Sequence, residues 1–184
     1  FANSKTLDPR ITFTRGSTAT YWDGKTTAKA EENLTLNGLS LTSTGWTNSN
    51  GMTVTPNAGT APDGTTRATQ LTLASGKAYY QTVPNIGSST YTASVYVKQA
   101  ASGSATQFRF ATNNTQAWSS GGTASVTLTS SWQRVTLTGT LTGGAGSMNL
   151  HMDGSQLDGT FDSNCAGNVL IWGAQVEIRS SATA

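Results

Sequence analysis

The chain has 184 residues, a formal net charge of +2 and 11% charged residues, whereas about a quarter is usual for soluble domains. It contains 33 Thr, 21 Ser and 20 Gly. This composition excludes a helical bundle, because helix surfaces need Ala, Glu, Lys, Arg and Leu. A disordered chain is also excluded, because the hydrophobic residues, 35% of the total, fall in alternating runs. An all-β domain remains.

Several partner classes are excluded on the same basis. The 11 Lys and Arg are scattered among 9 Asp and Glu without a basic cluster, so we expect no nucleic-acid partner. No apolar run approaches the roughly 20 residues of a membrane span, so we expect no membrane insertion. Cys165 is the single cysteine, which rules out an intramolecular disulfide. Because the chain starts at Phe1 rather than Met, we expect it to be a piece of a longer protein.

The first 30 residues differ from the rest. They hold short strand candidates at Ile11–Thr14 and Tyr21–Trp22, and a polar stretch from Lys25 to Asn33 follows. We therefore predict an N-terminal arm or connector over residues 1–30 and one β-domain over residues 31–184.

From about residue 71 onward, apolar and polar residues alternate in short runs, the pattern of half-buried strands. Clusters of Gly, Asn, Asp, Ser and Pro separate these runs. The predicted core-facing residues are Ala93, Val95, Val97, Phe108, Phe110, Val126, Leu128, Val135, Leu137, Leu141, Met148, Leu150, Met152, Val169, Ile171, Val176 and Ile178. The spacing predicts an antiparallel β-sandwich.

Catalytic chemistry finds little support in these residues. The nine acids lie mostly in predicted turns, where Asp serves turn geometry, so a catalytic carboxylate pair is not indicated. One His and one Cys cannot form a zinc site. The chain has neither a Gly-x-Ser-x-Gly elbow nor a phosphate-binding loop. We expect a protein that is not an enzyme.

What remains is a binding surface of aromatic and neutral polar groups, a combination that suits sugars. If the apolar residues of each strand face the core, their polar neighbours face outward and could share one sheet face. The outward candidates are Tyr96, Arg109, Asn149, His151 and Asp153. Arg109 could equally pair with a carboxylate, and His151 could simply be solvated.

For four further candidate residues, the sequence does not determine the orientation of the side chain. Either Tyr79 or Tyr80 joins this face, because the run from Ala78 to Val83 allows burial of Gln81 and Val83 or of Tyr80; Gln81 is a candidate as well. Trp118 lies in a predicted polar loop, residues 113–122, and could overhang the edge of the face or pack on another subunit. The tryptophans assigned to structural roles are Trp46, Trp132 and Trp172.

An ordered set of segments resembles the jelly-roll carbohydrate-binding modules of the xylan- and glucan-binding type. These segments are Asn33-Leu34, Gly45-Trp46, Ala61-Pro62-Asp63-Gly64, YTASVYVK (Tyr91–Lys98), SSWQRV (Ser130–Val135) and VLIWGAQVE (Val169–Glu177). With ITFTRGSTATY (Ile11–Tyr21) in front, the chain is similar to modules of bacteriophage tail and virion proteins. The resemblance implies a non-catalytic β-sandwich that binds polysaccharide in a cleft across one concave sheet.

By order in the chain, the resemblance places the cleft aromatic at Tyr79 or Tyr80, a polar cleft residue at His151 and a loop aromatic at Trp118. Such modules often hold a structural calcium through an acid near the first strand and an Asp in the last strand. Here Asn37-Gly38-Leu39 lacks the acid and Trp172-Gly173 lacks the Asp. We therefore expect no cofactor. A structural calcium held by Asp63, Glu177 and backbone carbonyls, the only evident substitutes, stays open.

The sequence therefore predicts a polysaccharide-binding jelly roll, located in a virion or outside the cell, with a bacterial surface glycan or another polysaccharide as partner. A structural virion module without sugar binding is one alternative, and an appendage of a bacterial polysaccharide-degrading enzyme is another. Assembly as a homo-oligomer or with other virion subunits stays open.

Overall fold

The structure is a computed structural model that describes residues 20–22, 27–29, 33–39, 41–42, 44–84, 86–101, 104–142 and 146–182. The chain divides into two compact units, residues 1–32 and 33–184. The predicted strand Ile11–Thr14 lies outside the described residues.

The first unit contains a two-stranded antiparallel ribbon. Strand β1 (Thr20–Trp22) pairs with β2 (Thr27–Lys29), with Tyr21 opposite Ala28. The predicted strand at Tyr21–Trp22 is therefore confirmed.

The described residues of the second unit contain ten strands and one short 3-10 turn. In chain order they are β3 (Trp46–Ser49), β4 (Thr53–Gly59), β5 (Ala68–Leu73), β6 (Ala78–Pro84), β7 (Thr90–Gln99), β8 (Gln107–Asn114), β9 (Ala117–Thr127), β10 (Gln133–Thr140), β11 (Ser147–His151), the 3-10 turn (Ser163–Cys165) and β12 (Gly167–Glu177).

These strands form two five-stranded sheets. The order β3-β6-β11-β8-β9 makes the front sheet, and β10-β7-β12-β5-β4 makes the back sheet. Neighbouring strands are antiparallel in both sheets. The predicted all-β fold, an antiparallel sandwich of the jelly-roll type, is confirmed. In the described ranges no helix has the length and hydropathy to cross a membrane.

The core lies between the two sheets and is built by alternation. Phe108 and Phe110 of β8 and Met148 and Leu150 of β11 are fully buried from the front sheet, and Val95 of β7 belongs to the same cluster from the back sheet. Because successive side chains of a strand point to opposite faces, burial of these residues turns the intervening ones outward. The candidate sites follow from that parity.

The last strand departs from simple alternation. A register shift between Trp172 and Gln175 marks a β-bulge, so the inward series changes from Val169 and Ile171 to Ala174 and Val176. Ile178, predicted to continue the buried series, follows the end of β12 and is 51% exposed. That prediction is wrong because the strand pairing ends first.

Candidate binding site on the front sheet

The outer face of the front sheet brings together side chains from all five strands. One row across the sheet pairs Thr47 with Tyr80, Tyr80 with His151, His151 with Ala111, and Ala111 with Thr123. Residues paired in this way have side chains on the same face at neighbouring positions. The strand register therefore places Tyr80 and His151, 71 positions apart in the sequence, side by side.

His151 lies between two aromatic rings. The Tyr80 ring is stacked on the imidazole with centroids 5.0 Å apart, and the Trp118 indole lies 4.4 Å from the imidazole centroid. These rings bury His151 to 5% exposure, although strand parity points it outward as predicted. We name Tyr80, His151 and Trp118 the aromatic cluster.

Asp153 fixes the orientation of the imidazole. Its Oδ2 lies 2.9 Å from Nδ1 of His151 and accepts the backbone N–H of Tyr79, while Oδ1 accepts the N–H of Ser155. A carboxylate only accepts hydrogen bonds, so Nδ1 carries the proton. The opposite nitrogen, Nε2, is then an acceptor in the neutral ring, and it has no partner within the described part of the chain. Asp153, predicted to face outward, is instead fully buried because it makes these three contacts.

Trp118 lies in strand β9 and not in the predicted loop over residues 113–122. Gly159, in the loop between β11 and the 3-10 turn, packs against the indole: a Cβ on this glycine would lie 3.1 Å from Cε2 of Trp118. Gly159 also has φ +83°, a left-handed conformation that favours glycine. Both the close approach and the backbone conformation thus favour glycine at this position.

Several buried polar atoms on the same face have no hydrogen-bond partner among the described residues. They are Gln107 Oε1, Arg109 Nε, Asn113 Oδ1, Thr123 Oγ1 and His151 Nε2. Buried polar groups are nearly always paired, and an unpaired one costs about 1–3 kcal/mol. The set mixes donors and acceptors, as hydroxyl-bearing ligands require. A bound molecule that displaces the side chains covering these buried atoms could pair with them without breaking bonds within the protein.

Arg109 on this face is paired with a carboxylate. Nη2 of Arg109 lies 2.7 Å from Oδ2 of Asp162, and Oδ1 of Asp162 caps the 3-10 turn by accepting the N–H of Asn164. The prediction left Arg109 open between a carboxylate and a ligand hydroxyl, and the structure pairs it with the carboxylate. Asn149 is also engaged, because its Oδ1 accepts a hydrogen bond from the Thr82 hydroxyl.

A cleft of about 530 Å³ opens beside the aromatic cluster. The lining residues are Ser75, Gly76, Lys77, Ala78, Trp118, His151, Asp153, Ser155, Gly159, Thr160 and Phe161. Sequence reasoning did not identify Lys77, Ser155 or Phe161. The turn sequence Asp158-Gly159-Thr160, in which Asp158 accepts hydrogen bonds from Thr160, was the signal for a structured loop at this end of the sheet.

Tyr79 and Gln81, two of the predicted site residues, face the core. The Tyr79 hydroxyl donates to the backbone oxygen of Leu41, and burial raises the pKa of Tyr79 to about 12. Gln81 is 1% exposed, and its side-chain amide bonds to both the N–H and the carbonyl of Leu36. Of the two tyrosines, Tyr80 is the one on the outer face.

Tyr96 was also predicted to share the face, and this is wrong. It belongs to β7, which pairs with β10 and β12 in the back sheet, so its outward side chain lies on the other side of the sandwich. The tryptophans assigned to structural roles all make contacts: Trp46 stacks on Tyr79, Trp132 donates to Thr60 O and Trp172 packs beside Tyr96.

The residues suggested for calcium make other contacts in the described part of the chain. Oδ1 of Asp63 accepts both the N–H and the hydroxyl of Thr65, which holds the pKa of Asp63 below its usual value, and Glu177 is buried in β12. The described ranges contain no group of three or more His, Cys, Asp or Glu that could hold a metal ion. The segments where the resemblance would place calcium are instead joined directly, since the N–H of Ala174 donates to the carbonyl of Gly38.

No protein-family model matches the chain, and no curated protein matches it significantly. Similar solved structures are found. The xylan-binding domain CBM22-1 of Xyn10C from Paenibacillus barcinonensis has a TM-score of 0.56 at 17% identity, with 84% of this chain and 99% of that chain covered. The CBM22-1–GH10 modules of Clostridium thermocellum xylanase 10B, complexed with xylohexaose, have a TM-score of 0.52 at 13% identity.

The xylanase match covers 80% of this chain but 28% of the other. A third similar structure, the enzymatically active domain of tailspike protein 4 from bacteriophage CBA120, has a TM-score of 0.52 at 15% identity and covers 80% of this chain and 21% of that chain. At these identities the similarity defines the fold. The second unit has the jelly-roll fold found in carbohydrate-binding modules.

Proposed function

We propose that the chain is a non-catalytic module that binds a neutral polysaccharide across the outer face of the front sheet. The observation that carries the proposal is the aromatic cluster, in which His151 is fixed by Asp153 and leaves Nε2 unpaired beside the other unpaired polar atoms of the face. Structures with this fold include a xylan-binding domain and a module in complex with β-1,4-galactotriose.

The mechanism combines ring packing with neutral hydrogen bonds. A sugar ring presents a C–H face to an aromatic side chain such as Trp118 or Tyr80, while its hydroxyls both donate and accept. Nε2 of His151 accepts a hydrogen bond from a sugar hydroxyl, and Asn113 and Thr123 supply further partners. Because such bonds largely replace bonds to water, we expect modest affinity.

Charge on the face favours a neutral ligand over an acidic one. Arg109 is compensated by Asp162, and His151 as a neutral ring donates its Nδ1–H to Asp153. Lys77 in the cleft lining donates to the carbonyl of Asn50. The same pairs support a non-catalytic role, because glycoside hydrolysis needs one carboxyl group free to protonate the leaving oxygen and a second free to attack or activate water. Here Asp153 makes three contacts and Asp162 holds Arg109 and the 3-10 turn.

The test is native affinity electrophoresis against xylan, β-glucan, β-galactan and bacterial surface polysaccharides, using the wild type and Trp118→Ala. Loss of one stacking platform removes about 1–2 kcal/mol, so we expect about tenfold weaker retardation by the polymer that binds. Trp132→Ala is the matched control, because Trp132 is also half-buried but lies at the edge of the back sheet. Absence of retardation by every polymer, or equal losses in both variants, would contradict the proposal.

The parent protein is proposed as a virion or secreted protein. The fold similarity to a bacteriophage tailspike favours a virion protein that recognises a bacterial surface glycan, and the similarity to a xylanase module favours an enzyme appendage. A purely structural virion module is the remaining candidate. It predicts no glycan binding and protection of Trp118 from oxidative labelling in the assembled particle, whereas a glycan-binding module leaves Trp118 reactive until polysaccharide is added.

A further inference from the structure

A second pocket lies on the opposite side of the sandwich, on the outer face of the back sheet. Its volume is about 310 Å³, at the lower end of the range usual for small-molecule sites, about 300–1,000 Å³. The lining residues are Asn33, Gly38, Leu39, Tyr96, Arg134, Trp172, Gly173, Ala174 and Gln175. None of them lines the cleft beside the aromatic cluster.

The bulge in β12 shapes this pocket. Gly173 has φ +67° and sits within the register shift, so that Trp172 pairs with Tyr96 and Gln175 pairs with Ser94. Trp172 and Gln175 are both half-buried on the outer face, whereas the residues between them are buried. Bulges are often found beside functional sites, where they redirect side chains.

The segment 33–39 fastens the bulge and forms one wall. Ala174 donates its N–H to Gly38, and its carbonyl accepts the hydroxyl of Thr35 at 2.8 Å. A Cβ on Gly38 would lie 2.0 Å from the Ala174 oxygen, so only glycine allows this approach. Asn33 adds a further bond, accepting the N–H of Val176. Hydrogen bonds from segment 33–39 to the backbone of β12 therefore hold this wall of the pocket in place.

The pocket combines an aromatic wall with a guanidinium group that lacks an anionic partner. Tyr96 and Trp172 have ring centroids 5.6 Å apart, and the guanidinium carbon of Arg134 lies 5.4 Å from the Tyr96 centroid. Nη2 of Arg134 donates to Gln175 Oε1 and Ser94 Oγ, both of which are neutral. No carboxylate pairs with Arg134 among the residues that the structure describes.

Two buried N–H groups of the pocket are unpartnered within the described chain: Nε of Arg134 and Nε1 of Trp172. Both atoms can only donate. The front face differs, because its unpaired atoms include several acceptors and its arginine, Arg109, is paired with Asp162. A ligand of this second pocket must supply acceptor oxygens, and the positive charge of Arg134 favours a carboxylate.

We propose that this pocket binds a sugar ring that carries a carboxylate, a uronic acid unit. The ring would pack against the aromatic wall, and the carboxylate would accept from the N–H groups of Arg134 and Trp172. The chain would then have two separate glycan sites of different chemistry, one on each sheet. This site does not depend on the proposed function of the front face.

The test is isothermal titration calorimetry of the whole chain with trigalacturonate and with its methyl ester as the uncharged control. We expect the acid to bind and the ester to bind about tenfold more weakly or not at all, since hydrogen bonds to a charged group contribute more than neutral ones. Arg134→Gln should lose at least about tenfold in affinity for the acid, and Trp172→Phe, which keeps an aromatic ring but removes the N–H, about threefold to tenfold.

Two controls separate this site from its alternatives. Arg67→Gln removes an exposed positive charge outside the pocket and should leave acid binding unchanged, and Trp118→Ala should also leave it unchanged while weakening the front face. If thermal melting shows no unfolding transition for Arg134→Gln, this variant is not folded and Trp172→Phe provides the test. Four results would overturn the proposal. The acid and the ester could bind equally well, or Arg67→Gln and Arg134→Gln could have equal effects. Trp118→Ala could lose acid binding, or a triglutamate peptide could bind as tightly as the acid.

Discussion

Gly159 offers a direct test of how Trp118 is held. Gly159 and Gly64 have nearly the same backbone conformation, with φ +83° and φ +81°. They differ in surroundings: a Cβ on Gly159 would lie 3.1 Å from Cε2 and 3.2 Å from Nε1 of Trp118, whereas nothing lies within 4 Å of one on Gly64. Comparing alanine at the two positions therefore separates the contact with Trp118 from the backbone conformation.

The expected sizes follow from these geometries. At both positions alanine costs about 1–2 kcal/mol for the left-handed conformation, offset by about 0.4–1 kcal/mol from a less flexible unfolded chain. At Gly159 the indole must also move by a few tenths of an ångström, and such overpacking costs about 1 kcal/mol at a half-buried site. For a chain of this length, 1 kcal/mol corresponds to about 2–4 °C in Tm.

The assay is thermal unfolding of both variants, followed by affinity electrophoresis with the polysaccharide that retards the wild type. Gly159→Ala should melt about 2–4 °C below Gly64→Ala and should bind more weakly, because the displaced indole disturbs the aromatic cluster. Equal Tm values together with unchanged binding would refute the packing of Trp118 on Gly159. Lower stability with unchanged binding would remove the indole from the binding surface.

Three further predictions concern buried groups. The pKa of Tyr79 is raised from 10.0 to about 12, so the unfolded chain loses its proton first and the free energy of unfolding should fall by up to about 3 kcal/mol as the pH rises from 10 to 12; urea titrations should show a flatter dependence for Tyr79→Phe. Burial raises the pKa of Cys165 to about 11, so iodoacetamide at neutral pH should label the thiol only in urea, and labelling of the folded protein would contradict its burial. Asp162→Asn leaves Arg109 without its anion and should lower the unfolding free energy in urea by about 1–3 kcal/mol; an unchanged midpoint would show that the 2.7 Å ion pair adds no stability.

Strand parity could be predicted wherever one face of a strand is plainly apolar. In β8 and β11, the buried Phe108, Phe110, Met148 and Leu150 determine the direction of every neighbour, and Arg109 and His151 leave the core side as expected. The alternation of local residue types contains this information, because a strand has a period of two.

The orientation of β6 could not be predicted in the same way. Tyr79 and Tyr80 are both favoured in strands, and the choice between them depends on Gln81, a polar residue on the buried face. Gln81 tolerates burial because the backbone of Leu36, 45 residues away, satisfies its amide. A contact over that distance leaves no local pattern in the sequence.

The sequence also did not show which of the two sheets each strand joins. The outward direction of Tyr96 was predictable from β7, but which sheet contains β7 depends on its pairing with β10 and β12. Trp118 was assigned to a loop because its neighbours are small and polar. The strand continues there because Gly121 lets the backbone pass Thr112: a Cβ would lie 1.9 Å from the Thr112 oxygen.

The contact between segment 33–39 and β12 has a mechanical consequence. Leu34 donates its N–H to the carbonyl of Val176, and Val176 donates back to the side chain of Asn33. The polypeptide therefore enters and leaves the sandwich at neighbouring points. A tensile load applied between residues 33 and 177 would be borne first by these few hydrogen bonds. The strands between these two points in the chain would carry little of the load. Under such a load, the sandwich would keep both of its outer faces intact until the hydrogen bonds between segment 33–39 and Val176 broke.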